Sequence, residues 1–155
     1  MTNPEKIAFK NKLKNLGLDV LKQRIATAQE AMNQAQEAAN SEEKSSAGDK
    51  YETGRAMGQL QKEMYGRQLA EYAKEVKALQ SIAVDPLCDG GGPGAFVQAA
   101  GIAFFVSAGL GRQEVEGLSV LFVSPLAPLA RALENKRAGD SLLFNGANMI
   151  IEYVY

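Results

Sequence analysis

Residues 85–94 read Asp85-Pro86-Leu87-Cys88-Asp89-Gly90-Gly91-Gly92-Pro93-Gly94, and this stretch divides the chain into two parts of different composition. Residues 1–84 are rich in Ala, Gln, Lys and Glu and contain a single proline, Pro4. Residues 85–155 contain four of the five prolines and ten of the 15 glycines. Because clusters of Gly and Pro interrupt helices and strands, residues 85–94 are predicted to link an N-terminal domain, 1–84, to a C-terminal domain, 95–155.

The amino-acid composition excludes several classes of chemistry. The 155 residues include no His and a single cysteine, Cys88. Ser-His-Asp and Cys-His catalysis, histidine-held zinc and a disulfide within the chain are therefore excluded. The net charge of −1 gives no general attraction to nucleic acid or to anionic membranes. An autonomous enzyme is not expected, and no stably bound cofactor is predicted.

The N-terminal part carries two apolar seams with heptad spacing. The first seam is Leu18, Leu21, Ile25, Ala28, Met32, Ala35 and Ala39. The second is Thr53, Met57, Leu60 and Met64, and after a slip of one residue it continues as Tyr65, Leu69, Tyr72, Val76 and Leu79. Two such seams joined by the polar stretch 40–49 predict a long antiparallel helical hairpin, which is a coiled coil. Asp49 suits the N-cap of the second helix.

The C-terminal part has the pattern of a small sheet domain. Runs of β-branched and aromatic residues predict strands at 102–106, 118–123, 141–144 and 149–154, with a further candidate at 95–99. Asn145-Gly146 between two of these runs indicates a hairpin turn. Residues 128–134 predict one short helix with Pro128 in its first turn. The sequence therefore predicts an α+β protein, in which a helical hairpin precedes a small antiparallel sheet covered by one helix.

The chain shows no export signal and no apolar segment of the length that a membrane span needs. The N-terminal residues lack the apolar run of a signal peptide. The longest apolar stretch, 99–106, is far shorter than the roughly 20 residues of a transmembrane helix. A cytoplasmic protein that does not enter a membrane is expected.

Two local motifs resemble the bacterial transcript cleavage factors of the Gre family. Residues 127–140 are similar to the family's stretch Ser-Pro-Ile-Gly-Arg-Ala-Leu-Leu-Gly-Lys-x-Val-Gly-Asp. The residues in register are Pro128, Arg131, Ala132, Leu133, Lys136, Gly139 and Asp140. Tyr51 and Arg55 match a Tyr-x-x-x-Arg pattern early in the family's second helix. The resemblance implies an FKBP-like fold for the C-terminal domain, without any isomerase activity.

The resemblance also implies a partner and a mechanism. Such factors insert the tip of the coiled coil into the secondary channel of RNA polymerase, while the C-terminal domain docks on the polymerase. Acidic side chains at the tip then help to hold magnesium at the polymerase's own active site, where backtracked RNA is cleaved. The factor itself is not an enzyme, and a monomer is expected.

The tip sequence differs from the family pattern Asp-x-x-Glu-Asn-x-Glu-Tyr. Aligned on Tyr51, the first two acidic positions of this pattern, which hold the metal in the family, are occupied by Lys44 and Ala47. Asp49 and Glu52, which are three residues apart and share a helix face, are the candidate substitutes that would assist catalysis and hold magnesium transiently. The candidate binding residues are Glu42, Glu43, Lys44, Tyr51, Arg55, Pro128, Arg131 and Lys136.

Two other functions remain open on this sequence. A close variant occupies the channel without stimulating cleavage and so acts as an inhibitor or regulator. A coiled-coil adaptor would instead use its sheet domain to bind a protein partner. The basic residues of the first helix are either a solvated face or a contact to nascent RNA through phosphates; they are Lys6, Lys10, Lys12, Lys14, Lys22 and Arg24.

Overall fold

A computed structural model describes the backbone of residues 1–45 and 49–155, and the side chains of residues 1–41 and 53–155. The chain opens with two long helices, α1 (Asn3–Ser45) and α2 (Asp49–Gln80). It forms two compact units: residues 20–76 make one, and residues 1–19 together with 77–155 make the other. Within the described parts of the chain, no helix combines the length and apolar character that a bilayer span requires.

The unit of residues 20–76 is an antiparallel helix pair. Residues 23–31 of α1 share a cavity with residues 65–72 of α2, and further along α1, Ala39 lies against Gly58. Higher residue numbers on α1 thus lie opposite lower residue numbers on α2, so the two helices run antiparallel, as the sequence predicted. Leu21 and Ala28 of the first predicted seam are buried, and the other members of that seam are half-buried.

The second predicted seam is correct only in its later half. Tyr65, Leu69, Tyr72 and Val76 are half-buried and Leu79 is buried. Thr53 is exposed, and Met57, Leu60 and Met64 are 57%, 65% and 47% exposed. The prediction that Thr53, Leu60 and Met64 lie in the seam is therefore wrong, whereas Met57, although exposed, lines a cavity with Ala35 and Ala39 of α1. In place of those three residues, Gly54 and Gly58 lie opposite the small side chains of Ala35 and Ala39.

The absence of a side chain at Gly58 permits this close packing. A Cβ built at Gly58 would lie 3.0 Å from the Cβ of Ala39, which is closer than real Cβ contacts normally come. A Cβ at Gly66, on the same helix, would meet nothing within 4 Å. Substitution of Gly66 by Ala therefore tests the helix propensity of Ala alone, whereas substitution of Gly58 by Ala tests that propensity together with a steric cost.

We expect Gly66→Ala to raise the free energy of unfolding by about 1 kcal/mol, because Ala favours a helix interior over Gly by that amount. Gly58→Ala gains the same propensity but must displace Ala39, so we expect it to be at least about 1 kcal/mol less stable than Gly66→Ala. Urea unfolding followed by circular dichroism measures both values. Equal stabilisation by the two substitutions would show that the helices do not approach closely at Gly58.

The other unit is built on a six-stranded sheet. The strands are β1 (Phe96–Ala99), β2 (Ile102–Val106), β3 (Gly111–Val115), β4 (Leu118–Val123), β5 (Ser141–Phe144) and β6 (Ala147–Val154). Their order across the sheet is β3-β4-β2-β1-β6-β5. The turn between β5 and β6 is the predicted Asn145-Gly146, and both residues have the positive φ angles, 51° and 77°, that such a turn requires.

Two details of the sheet differ from the prediction. The sheet is mostly antiparallel, but β4 pairs with β2 in parallel. Strand β4 lies between β2 and β3, and β3 is its antiparallel hairpin partner. Strand β3 was not predicted. Its sequence, Gly-Arg-Gln-Glu-Val, is mostly polar because β3 is an edge strand whose side chains are largely exposed.

The third helix, α3 (Pro128–Leu133), covers one face of the sheet and has Pro128 in its first turn as predicted. Ala130 and Leu133 of α3 are buried against an apolar cluster from the strands. The strand residues of this cluster are Val97, Ala99, Phe104, Val106, Val123, Leu142, Met149 and Ile151, and Ala95 joins it. Gly139, with a φ of 90°, leads from this region to β5.

The opposite face of the sheet is covered by the ends of the two long helices. The Phe9 ring of α1 meets the Phe96 ring of β1 edge to face, with centroids 5.4 Å apart. A Cβ built at Gly17 would lie 2.7 Å from Leu79 and 3.2 Å from Phe122. The prediction of a sheet covered by one helix is therefore wrong, because residues 1–19 and 77–80 also bury its apolar side chains.

Residues 85–94, the predicted linker, are hydrogen-bonded to the sheet unit. The N–H of Gly91 donates to the carbonyl of Lys136, and the N–H of Asn135 donates to the carbonyl of Gly91. The N–H of Gly94 donates to the carbonyl of Val106. Whether 1–84 and 95–155 fold as separate domains stays a prediction, and the compact unit that contains the sheet includes residues 1–19.

Candidate functional site

The candidate magnesium ligands, Asp49 and Glu52, are at the start of α2. Their side chains lie outside the described residues, as do those of Glu42, Glu43, Lys44 and Tyr51, so the roles of all six stay predictions. Among the side chains of residues 1–41 and 53–155, no three His, Cys, Asp or Glu residues are grouped to hold a metal ion. This finding does not bear on a magnesium ion shared with a polymerase.

Arg55 is the one candidate binding residue near the tip whose side chain is described. It is exposed on α2, directly after the half-buried Gly54 of the seam. Because the seam side of α2 faces α1, the exposed guanidinium is available to a partner.

The motif of residues 127–140 forms α3 and the turn that follows it. Pro128 and Arg131 are exposed on the outer side of α3, and Lys136 is half-buried. The Lys136 carbonyl accepts a hydrogen bond from Gly91 at 2.8 Å. The Asp140 carboxylate closes the turn by accepting from the N–H of Arg137 at 2.8 Å. The motif thus has a structural role, while Pro128 and Arg131 remain available for contact.

The basic residues of α1 do not form one solvated face. Lys10 is fully buried, so the prediction that it belongs to a basic surface is wrong. Its ammonium donates to the Tyr155 carbonyl at 3.1 Å and lies 4.0 Å from the Cys88 sulfur. Burial lowers the pKa of Lys10, and the neighbouring Cys88 acts in the opposite direction. Lys10 therefore ties α1 to the end of the last strand.

Two further lysines of α1 bond within the sheet unit. The Lys14 ammonium donates to the carbonyls of Gln80 and Ile82 at 3.0 and 2.8 Å, which satisfies groups left free at the end of α2. Lys12 forms an ion pair with Glu116 in the turn between β3 and β4. These contacts favour a structural role for this part of α1 over a contact to RNA.

One concave feature of this unit, which sequence reasoning missed, is an aromatic cavity. Its volume is about 570 Å³. It is lined by Met1, Lys6, Phe9, Phe96, Val115, Glu116, Leu118, Tyr153 and Tyr155. No local sequence pattern predicts this cavity, because its lining residues come from four separate parts of the chain.

The rings of the cavity pack against one another. The Tyr153 and Tyr155 rings are stacked, with centroids 5.9 Å apart and an interplanar angle of 9°. The Tyr155 ring also lies 5.1 Å from the Phe96 ring, and the Lys6 ammonium is 5.1 Å from the Tyr155 ring centroid. Burial, and then the neighbouring Tyr153, raises the pKa of the Tyr155 hydroxyl to about 12.

The raised pKa of Tyr155 predicts a loss of stability in alkali. The unfolded chain releases this proton near the ordinary value of about 10, whereas the folded chain holds it until about 12. The resulting stability is fully present below the unfolded pKa and is lost as the pH rises through the folded pKa. We expect Tyr155→Phe to show a smaller fall in melting temperature across this interval than the wild-type chain. Thermal melts at closely spaced pH values measure the two melting temperatures. Equal falls in melting temperature for the wild-type chain and Tyr155→Phe would contradict the raised pKa of Tyr155.

The chain matches no protein-family model, and no curated protein is significantly similar to it.

Proposed function

We propose that this chain is a Gre-like transcription factor that binds RNA polymerase and inserts the tip of its helix pair into the secondary channel. In this proposal the factor stimulates cleavage of backtracked RNA at the polymerase's own active site, with Asp49 and Glu52 assisting a shared magnesium ion. The sheet unit, of FKBP-like type, docks on the polymerase outside the channel. The protein acts in the cytoplasm as a monomer.

The observation that carries the proposal is the closeness of the helices towards their connection. Gly54 and Gly58 face Ala35 and Ala39, and a Cβ at Gly58 would lie only 3.0 Å from the Cβ of Ala39. Helices that meet through Gly and Ala form a narrower pair than helices that meet through Leu or Met. Residues 20–45 of α1 alone form roughly 38 Å of helix at about 1.5 Å per residue. A long, narrow helix pair suits entry into a channel.

Exposed apolar side chains on both units support a protein partner. Met57, Leu60 and Met64 are exposed on α2 with spacings of three and four residues, so they share a face of the helix. On the sheet unit, Leu143 and Ile150 are exposed on the two paired strands β5 and β6. Clustered exposed apolar residues are typical of interaction surfaces. In this proposal the α2 residues contact the channel wall and the sheet residues contact the polymerase surface.

The replacement of both metal-holding tip positions of the family by Lys44 and Ala47 favours one alternative. A factor whose tip has no carboxylates at the positions that reach the polymerase active site would occupy the channel without stimulating cleavage. Such a protein would act as an inhibitor or regulator of the polymerase.

Co-purification of the full chain with RNA polymerase, followed by a cleavage assay on stalled elongation complexes, tests the proposal. We expect the chain to bind polymerase and to shorten backtracked transcripts in the presence of magnesium. Binding without cleavage, combined with competition against a genuine cleavage factor, would establish the inhibitor. A chain that neither binds nor competes would favour the coiled-coil adaptor.

A further inference from the structure

The aromatic cavity of the sheet unit has the properties of a small-molecule site. Its volume of about 570 Å³ falls within the range of roughly 300–1,000 Å³ typical of ligand pockets. Most of its lining is apolar or aromatic, and among its lining side chains only Lys6 and Glu116 carry charge. A few polar groups in an apolar pocket are the usual means of orienting a ligand.

The aromatic wall of the cavity favours a planar ligand. The Tyr153 ring is stacked on the Tyr155 ring, yet Tyr153 itself is 44% exposed. Tyr155 beneath it is buried and touches Phe96. Tyr153 is therefore held by a packed layer on one side and is open to further contact. A flat aromatic ring stacked there would extend an existing stack, with Leu118 and Val115 among the other lining residues.

The charges of the cavity favour an anion. The Glu116 carboxylate is exposed and forms an ion pair with Lys12 at the surface. Lys6 is half-buried, and within the described part of the chain no carboxylate lies within ion-pair distance of its ammonium. The Lys6 ammonium lies against the face of the Tyr155 ring. The cavity thus has a lysine ammonium without a carboxylate partner beside an aromatic wall.

We propose that this cavity binds a small aromatic carboxylate, with its ring on Tyr153 and its carboxylate on the Lys6 ammonium. A carboxylate on a partly buried ammonium forms a charge-assisted hydrogen bond, which is stronger than a bond between neutral groups. Ligand binding at this cavity does not depend on whether the chain binds RNA polymerase.

Binding of 2-naphthoate and of its neutral analogue 2-naphthamide to the full chain tests the site. We expect 2-naphthoate to bind at least about tenfold more tightly than 2-naphthamide, as the strength of a hydrogen bond to a charged group implies. We expect Lys6→Met to weaken binding of 2-naphthoate by about tenfold for the same reason and to leave binding of 2-naphthamide unchanged. Lys62→Met, which removes an exposed lysine of the other unit, should leave the affinities for 2-naphthoate and 2-naphthamide unchanged.

A second variant, Tyr153→Ala, tests the contribution of ring stacking to the affinity independently of the Lys6 charge. We expect Tyr153→Ala to weaken both probes by about threefold to tenfold, because it removes the stacking surface. Calorimetry or chemical-shift titration measures the dissociation constants, and circular dichroism confirms that each variant is folded. Equal affinity for the two probes, an unchanged affinity for 2-naphthoate in Lys6→Met, or no saturable binding of either probe to the wild-type chain would overturn the proposal.

Discussion

Gly91→Ala is expected to destabilise the chain by about 3 kcal/mol, the upper part of the range for overpacking a well-packed interior. A Cβ at Gly91 would lie 1.9 Å from the carbonyl oxygen of Leu133 and 2.7 Å from its carbonyl carbon. These atoms belong to the backbone, so a change of rotamer cannot relieve the clash. Gly91 is also fixed by its hydrogen bonds to Lys136 and Asn135. Either the segment or the end of α3 has to move.

The neighbouring Gly92 provides the control. A Cβ there would meet nothing within 4 Å, so Gly92→Ala should change stability by less than about 0.5 kcal/mol, as surface substitutions usually do. For a chain of this size, a loss of about 3 kcal/mol lowers the melting temperature by roughly 6–12 °C. A Gly91→Ala melting temperature equal to that of Gly92→Ala would mean that residues 85–94 do behave as an unattached linker.

The combined change of Asp49 and Glu52 to Ala is expected to abolish stimulated cleavage while polymerase binding stays within about a few-fold. A carboxylate that helps to hold a catalytic metal acts chiefly in the transition state, so its removal lowers the rate more than the affinity. Cleavage rates on stalled complexes and a competition binding assay measure the two effects. Glu30→Ala, which removes an exposed carboxylate from α1, is the matched control and should leave both the cleavage rate and the polymerase affinity unchanged.

Asp49→Asn distinguishes the metal role of Asp49 from helix capping. Asn caps a helix about as well as Asp, but it lacks the negative charge that a magnesium site favours. Full activity in Asp49→Asn would assign Asp49 to capping alone and would leave the metal to Glu52, Glu42 or Glu43. Full activity in the Asp49 and Glu52 double variant would remove both residues from the mechanism.

The sequence predicted those parts of the fold in which apolar periodicity and burial coincide. The early seam of α1, the strands at 102–106 and 118–123, and the Asn145-Gly146 turn follow from local patterns and are confirmed. The packing of α2 near Met57 was not predicted by such a local pattern. Periodicity selects large apolar residues, whereas close helix packing selects glycine, and on α2 Gly58 approaches α1 while Leu60 and Met64 are exposed.

Other features depend on contacts between distant residues, which no local pattern encodes. Lys10 reads as a surface charge, yet it is buried because the carbonyl of Tyr155 lies within reach of its ammonium. The aromatic cavity combines the start of α1, the β3–β4 hairpin, β1 and the end of β6. Strand β3 is recognised only through its register with β4. The candidate tip residues rest on the family resemblance and are untested by the described side chains.

The pairing of residues 1–19 with the last strand has a consequence for synthesis on the ribosome. Residues 20–76 complete the helix pair as soon as α2 has emerged, but Phe9, Lys10 and Leu13 belong to a unit that also requires β6 and Tyr155. At about 5–20 residues per second, the 75 residues from Ser81 to Tyr155 take roughly 4–15 s to translate. Until β6 has been made, the apolar side chains near the start of α1 lack the complete sheet that buries them. The nascent chain therefore exposes these apolar side chains until the strands that bury them have been made.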